Sequence, residues 1–184
     1  VRLTTNISLN YVMEEDSFVL NETKYLVMTW GPPLEAALEE TVETFLSKTT
    51  HYWRSWIKTA SIVSFYQRQA FRSALILKIH QYEDTGAIIA AATTSLPESP
   101  GSGRNWDYRY CWMRDTYYTL NAFNNIGHFE ESEKYFHYIL NTTLEETDRY
   151  QPLYSITGKK DLDENVSGLQ GYQGNVPVRI GNQA

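Results

Sequence analysis

The sequence lacks the features that mark disulfide-rich, metal-binding and membrane proteins. Its 184 residues include one cysteine, Cys111, so no internal disulfide can form, and no Cys/His spacing resembles a zinc site. We therefore expect Cys111 to be a small buried apolar residue, and we predict neither a metal nor another cofactor. No apolar run approaches the roughly 20 residues that a membrane-spanning helix needs, so no membrane partner is predicted.

A basic surface is also missing. Lys and Arg number 16 against 22 Asp and Glu, which gives a net charge of -6. Because binding to nucleic acid depends on cations that neutralise phosphates, no nucleic-acid partner is predicted. No signal peptide is visible, which favours a cytoplasmic location, while N-x-S/T motifs at four positions leave secretion open: Asn6, Asn21, Asn141 and Asn165.

The length is sufficient for one domain with its own core. The sequence has no initiator Met, however, and strand-like residues begin almost at once. At the other end it stops at PVRIGNQA, without a helix or a polar tail. We therefore expect a piece of a longer protein.

The pattern of the sequence changes near residue 33. Residues 1–31 carry β-branched and aromatic residues in partial alternation, which predicts two or three strands, including 17–20 and 25–30. Pro32 and Pro33 would end the last strand and open a helix through residue 60. The apolar face of that helix would contain Leu34, Leu38, Val42, Phe45 and Leu46.

Helices and long loops are predicted from residue 61 to residue 184. The first helix would run from an N-cap at Ser64 to Tyr82, and a loop over 83–109 would follow. The second would start near 110–112 and end at Gly127, and the third would follow at once. The residues expected to face inward are Phe71, Leu75, Ile79 and Tyr82 in the first helix, Trp112, Thr116, Thr119, Leu120, Phe123 and Ile126 in the second, and Tyr135, Phe136, Ile139 and Leu140 in the third.

The segment RNWDYRYCWMRD, residues 104–115, joins the predicted loop to the second of these helices. Tyr108 and Trp112 offer flat apolar faces against which the C–H face of a sugar ring can lie. Arg114 and Asp115 offer a donor fork and a two-oxygen acceptor for adjacent hydroxyls, a combination that suits a neutral polyol. Alternatively, Asp115 caps the helix or pairs with an arginine, and the aromatic rings are core.

The order of motifs resembles glycoside hydrolase family 15, the glucoamylase-type and trehalase-type inverting α-glucosidases. The resemblance lies in RNWDYRYCWMRD, preceded by GAIIAAATTSLPE and followed by NNIGHFEESEKYF and GYQGNVPVRIGN. TWGPP resembles the exit from the N-terminal β-sandwich of that family. The resemblance implies an α+β fragment: 1–31 ends a β-sandwich domain, 32–60 forms linker helices, and 61–184 begins an (α/α)6 toroid, the glycosidase catalytic domain.

The resemblance also implies roles for individual residues. Tyr108 and Trp112 would form the wall around the innermost sugar, and Arg114 and Asp115 would bind its hydroxyls. The implied further pocket residues are Arg179 and Asn182. The two catalytic glutamates of the family lie beyond the equivalent of Ala184, so no catalytic residue is predicted here and the isolated chain is expected to be inactive.

The implied substrate is an oligosaccharide or disaccharide α-glucoside, hydrolysed with inversion. The linkage is left open between starch-type glucans, isomaltosaccharides and trehalose, because the named residues hold a glucose that all of them share. The alternative function is a non-catalytic carbohydrate-binding or interaction module. Too few helices are present to close a toroid, so the rest of the parent chain or an oligomer partner is expected to cover apolar surface.

Overall fold

A computed structural model describes residues 1–62, 64–144 and 149–182. The described residues form an α+β structure with five α-helices and three two-stranded antiparallel sheets. The helices are α1 (Leu9–Met13), α2 (Leu38–Lys58), α3 (Gln67–Ile79), α4 (Met113–Asn125) and α5 (Phe129–Thr143). The strands are β1 (Arg2–Thr5), β2 (Leu26–Thr29), β3 (Cys111–Trp112), β4 (Leu153–Tyr154), β5 (Asn165–Val166) and β6 (Arg179–Ile180). A 3-10 helix covers Tyr172–Gly174.

The chain divides into two compact units, Val1–Trp56 and Ile57–Ala184. The α+β class agrees with the prediction from sequence. The β-sandwich, the toroid and the three-part division of the chain stay predictions. None of the helices that the structure describes has the length and apolar composition needed to cross a membrane.

The first unit is built around one antiparallel strand pair. β1 and β2 pair from Arg2 opposite Thr29 to Thr5 opposite Leu26. The side chain of Asn6 closes this end of the pair, since its Oδ1 accepts from the backbone N–H of Tyr25 at 2.8 Å. The described residues 1–56 are all at least partly exposed, so the buried core of the chain lies in the second unit.

Two predictions for the first unit are wrong. Residues 17–20 form no strand, since they have no paired strand beside them, and the sheet of this unit consists of β1 and β2. The helix after the double proline begins at Leu38 and leaves Leu34 outside it. Glu39 and Glu40 occupy its first turn, where negative charge is favourable against the helix dipole.

The start and the end of α3 differ from the prediction. The helix begins at Gln67, and the residue at its N-cap position is Tyr66, with a φ of 53° and no side-chain capping bond. Ser64 is therefore not the cap. The helix ends at Ile79, so Tyr82 lies beyond it.

The buried side of α3 is also not the predicted one. Ala74 and Lys78 are buried, whereas Phe71 and Ile79 are exposed. Apolar periodicity predicts which face of a helix is buried. A polar side chain can nevertheless be buried where its hydrogen-bonding or charged partner lies beside it. One partner of Lys78, Glu131, belongs to another helix.

A charged cluster joins α3 to α5. The Lys78 Nζ lies 2.8 Å from Glu83 and 3.5 Å from Glu131. It also donates to the Gln81 Oε1 at 3.2 Å, while the Gln81 Nε2 donates to the Glu131 carbonyl at 2.8 Å. The Lys78 and Glu131 side chains are only 2% and 4% exposed. The interior between the two helices is therefore ionic, although the sequence predicts an apolar inward face for each of them.

The helices α4 and α5 confirm part of the predicted pattern. Phe123 is buried in α4, and Gly127 follows that helix with a φ of 81°, as a C′ glycine does. In α5 the buried aromatic residues are Tyr135 and Tyr138, so the prediction that Phe136 and Leu140 face inward is wrong: they are exposed.

The core continues into the short sheet beside α4. Cys111 in β3 pairs with Tyr154 in β4, and both residues are fully buried. This confirms the prediction for Cys111, and burial raises the pKa of its thiol. The loop over residues 83–109 contains no helix or named strand, as predicted.

Candidate functional site

The end of the loop and the start of α4 position the first group of predicted site residues. Trp112 pairs with Leu153 across β3 and β4 and then occupies the N-cap position of α4. The hydroxyl of Thr116 donates to the Trp112 carbonyl at 2.9 Å. Arg114 and Asp115 follow in the first helical turn. Trp112, Arg114 and Asp115 thus lie together at the N-terminus of α4, and the β3–β4 pair fixes the position of that helix end.

Arg114 and Asp115 form an ion pair at the surface. The Arg114 Nη2 lies 2.9 Å from the Asp115 Oδ2, and the two side chains are 73% and 38% exposed. The guanidinium also lies over the Trp112 ring, 5.4 Å from its centroid. No side chain caps α4, so Asp115 is not a helix cap, and its pairing with Arg114 is the alternative that the structure contains. Both groups are open to solvent.

Tyr108 lies on the loop, where its carbonyl accepts from the Ala91 N–H at 3.1 Å. Its ring is half-buried, and its hydroxyl donates to the Glu98 Oε1 at 2.9 Å. The other oxygen of Glu98 pairs with the Arg104 Nε at 2.7 Å. Burial raises the pKa of Tyr108, and the bond to Glu98 raises it further. Tyr108 therefore presents a neutral phenol with a fixed orientation.

Arg179 belongs to β6, and its side chain has two partners. The Arg179 guanidinium lies 5.8 Å from the centroid of the Trp106 ring, a distance at which a cation is attracted to an aromatic face. It also lies 3.4 Å from the Glu164 Oε1. Arg104 lies over the same ring at 5.8 Å. Trp106 is thus a contact shared by two arginines from distant parts of the chain.

Backbone hydrogen bonds join the segment 105–110 to the segment 176–181. The Arg179 N–H donates to the Asn105 carbonyl at 2.9 Å, and the Asp107 N–H donates to the Arg179 carbonyl at 2.8 Å. The Gly181 N–H donates to the Tyr110 hydroxyl at 3.0 Å. Arg179 is therefore brought beside the segment that contains Tyr108, as a shared pocket would require.

Sequence reasoning missed Asn105 and Trp106 as members of this arrangement. Asn105 is fully buried, and its Nδ2 donates to the Val176 carbonyl, 71 residues away along the chain, at 2.9 Å. A bond from a side chain to a distant backbone carbonyl leaves no mark in spacing or composition. The local pair of Asp107 with Arg109, whose Nε and Nη2 both bind the carboxylate, could have been expected from the proximity of the two residues.

Asn182 lines a cavity of about 560 Å³ together with residues from 149–152 and 160–163. Its backbone N–H donates to the Leu162 carbonyl at 2.9 Å. Three further cavities among the described residues are lined by other side chains than Tyr108, Trp112, Arg114 and Asp115. That these four residues line one concavity stays a prediction. Within 1–62, 64–144 and 149–182, no three His, Cys, Asp or Glu side chains are grouped as metal ligands.

Comparison with known proteins gives a family and several relatives. The sequence model described as "Glycosyl hydrolases family 15" matches residues 64–184. A trehalase of Thermoplasma volcanium is 43% identical over 139 residues, which are 76% of this chain and 22% of the relative. Trehalases of Mycolicibacterium smegmatis and Mycobacterium tuberculosis are each 34% identical over the whole of this chain and cover 29% and 28% of the relatives. The chain thus spans about a quarter of the length of these relatives. No solved structure matches it.

Proposed function

We propose that this chain, which belongs to glycosyl hydrolases family 15, is part of a glycoside hydrolase that cleaves α-glucosidic bonds, with trehalose as its substrate. Family membership confirms the resemblance found in the motifs. The observation that carries the proposal is that relatives named trehalase match this chain over its whole length.

The geometry at the start of α4 supports a sugar-binding role. The exposed Arg114 guanidinium lies over the Trp112 ring, its partner Asp115 is partly exposed, and each has hydrogen-bonding capacity beyond the single bond they share. A sugar presents hydroxyls that donate to a carboxylate and accept from a guanidinium, and a ring face that packs on an aromatic side chain. In this proposal Tyr108 adds a second aromatic surface, and Arg179 and Asn182 add polar contacts.

The chain supplies binding groups, and the chemistry is proposed to reside elsewhere in the parent protein. Inversion requires one carboxylic acid to protonate the leaving oxygen and one carboxylate to activate water, roughly 6.5 to 9.5 Å apart. Asp107 is poorly suited, because it is buried and both of its oxygens bind Arg109. Asp115 is assigned to hydroxyl binding. We therefore assign no catalytic residue to this chain.

The test is a hydrolysis screen of the full-length parent protein on trehalose, maltose, isomaltose and soluble starch. Trehalose is expected to be the best substrate. Inversion yields one β-glucose and one α-glucose from each trehalose, whereas retention yields two α-glucose, so proton NMR of the first products distinguishes them. Binding of trehalose without turnover by the parent would favour the non-catalytic module instead.

The 184-residue chain alone provides the matched control. Positioned acids and bases contribute roughly 10²- to 10⁴-fold each, so a chain without either should be slower by roughly four to eight orders of magnitude. Measurable hydrolysis by this chain would show that the assignment is wrong, and would require a carboxylate pair among its own residues.

A further inference from the structure

Arg179 is separated in sequence from the segment that contains Tyr108 and Asp115, yet a sugar pocket needs these side chains in fixed relative positions. The structure connects Arg179 to that segment through Asn105, Trp106 and Asp107, and Asn105 is the one of these three that is fully buried. The Asn105 carbonyl accepts from the Arg179 N–H at 2.9 Å. Its side-chain Nδ2 donates to the Val176 carbonyl at 2.9 Å. Asn105 thus binds both ends of the short run that carries Arg179.

The interior position of Asn105 indicates that its amide donor is specifically required. The residue is fully buried, and its Oδ1 has no hydrogen-bond partner among the described residues. A buried amide with one unsatisfied end is destabilising, and an apolar side chain of similar size would avoid this. Buried groups of this kind in native proteins call for a specific explanation. The bond from Nδ2 to Val176 supplies one.

The neighbouring residue extends the effect to the Arg179 side chain. Trp106 forms a single parallel bridge with Arg179, and its ring lies under the Arg179 guanidinium at 5.8 Å. Glu164 approaches the same guanidinium at 3.4 Å. A shift of the backbone at residue 179 relative to residue 105 would therefore move the guanidinium off the ring and away from the carboxylate.

The geometry points to Asn105 as a positioning residue that sets Arg179 in place for binding the sugar. This inference rests on the proposed function, since it names the residue that holds one of the predicted binding side chains. Asn105 itself touches no substrate, because it has no exposed surface.

The test uses the full-length parent protein with Asn105→Leu, which keeps the size of the side chain and removes the donor to Val176. The KM for trehalose should rise about tenfold while kcat changes by less than about threefold, as expected for a lost binding contact. The same substitution in an Arg179→Ala background should add less than about twofold, because the two residues act through one contact. Asn175→Ala is the control: it removes another link between these loops, from Asn175 Oδ1 to the Gly101 N–H at 2.7 Å, and should leave KM nearly unchanged.

A second readout is independent of activity. In protein labelled with 5-fluorotryptophan, the ¹⁹F signal of Trp106, assigned with Trp106→Phe, should shift in Asn105→Leu and in Arg179→Ala but not in Asn175→Ala. If the wild-type parent hydrolyses no α-glucoside, the proposed function fails and this signal alone decides the positioning role.

Three results would overturn the inference. The first is a folded Asn105→Leu with unchanged KM or, in an inactive parent, an unchanged Trp106 signal. The second is an equal loss in the wild-type and Arg179→Ala backgrounds, which would mean a general structural effect. If Asn105→Leu does not fold, Asn105→Ser is measured in its place, and failure of both to fold would make Asn105 a folding residue only.

Discussion

Replacing Lys78 with Met should destabilise the protein far more than replacing a surface lysine. The Lys78 Nζ lies 3.5 Å from Glu131, and the two side chains are 2% and 4% exposed. Removing one partner of a buried ion pair leaves the other charge in a medium that solvates it poorly, which costs about 3–5 kcal/mol. Glu83 contributes less to this figure, because its side chain is half exposed and it keeps its contact with Lys134 at 2.6 Å.

The assay is urea unfolding followed by tryptophan fluorescence, with the free energy of unfolding taken from the midpoint and slope. Lys58→Met is the matched control, since Lys58 is the basic residue in the last turn of α2 as Lys78 is in α3, but is exposed. The control should change stability by less than about 0.5 kcal/mol. The double variant Lys78→Met with Glu131→Leu should be less destabilised than Lys78→Met alone.

The pKa of His128 provides a second measurement on the same variant. Burial lowers the pKa of His128 below its usual 6.5, and the Lys78 charge lowers it further. A histidine with a depressed pKa contributes stability that is present above pH 6.5 and is lost as the pH falls. Removing Lys78 should raise the His128 pKa, measured by NMR, and reduce this loss. A Lys78→Met protein as stable as the Lys58→Met control would refute the reasoning.

Three further predictions concern activity, acid stability and backbone space. Asp115→Asn in the parent should lower kcat/KM for trehalose roughly 10- to 100-fold, because hydrogen bonds to a charged group are worth about 1.5–3 kcal/mol. The control is Glu133→Gln, which changes an exposed carboxylate. An equal kcat/KM in the two variants would contradict the role of Asp115. Hydrogen bonds from Lys134 and then Lys78 lower the pKa of Glu83 from 4.5 to about 2, so its contribution to stability is present above pH 4.5 and is lost as the pH falls toward 2. Glu83→Gln should therefore flatten the fall in stability over that range, and an unchanged acid unfolding profile would count against the cluster. Gly86→Ala should lower the melting temperature more than Gly101→Ala, because both glycines have positive φ but only the added Cβ at Gly86 would collide with the Lys134 backbone; equal shifts by calorimetry would show that this close approach is absent.

Several features could be predicted from short stretches of sequence, because the interactions that determine them are between residues close together in the chain. The C′ glycine at Gly127 and the burial of Cys111 were correctly predicted, since left-handed backbone favours glycine and a lone thiol packs as an apolar group. The same holds for the position of Trp112, Arg114 and Asp115 at the start of α4. The family, too, was evident from contiguous motifs and their order.

The prediction of the buried helix face was wrong where a residue distant in sequence determines which face is buried. The apolar pattern of α3 favoured Phe71 and Ile79 as the inward face, but Lys78 is buried because Glu131 of α5 lies opposite. In α5 both Tyr135 and Phe136 are predicted to face inward; Tyr135 is buried, on the side that also carries Glu131, and Phe136 is exposed. Apolar periodicity shows how apolar each face of a helix is. It does not reveal that a charged side chain will be buried because an opposite charge on another helix pairs with it.

The sequence by itself determined the α+β class and the family and supplied the candidate residues of a sugar site, because these depend on composition and on motifs read along the chain. Only the tertiary structure decided which helix faces are buried and that Asn105 holds Val176 and Arg179 beside the segment of Tyr108. The Asn105 side chain binds the Val176 carbonyl 71 residues away, and the Asn105 carbonyl accepts from the Arg179 N–H, so in both cases the distant partner is a backbone group that almost every residue type carries. Their pairing therefore follows from how the chain packs and has no signature in the residue types.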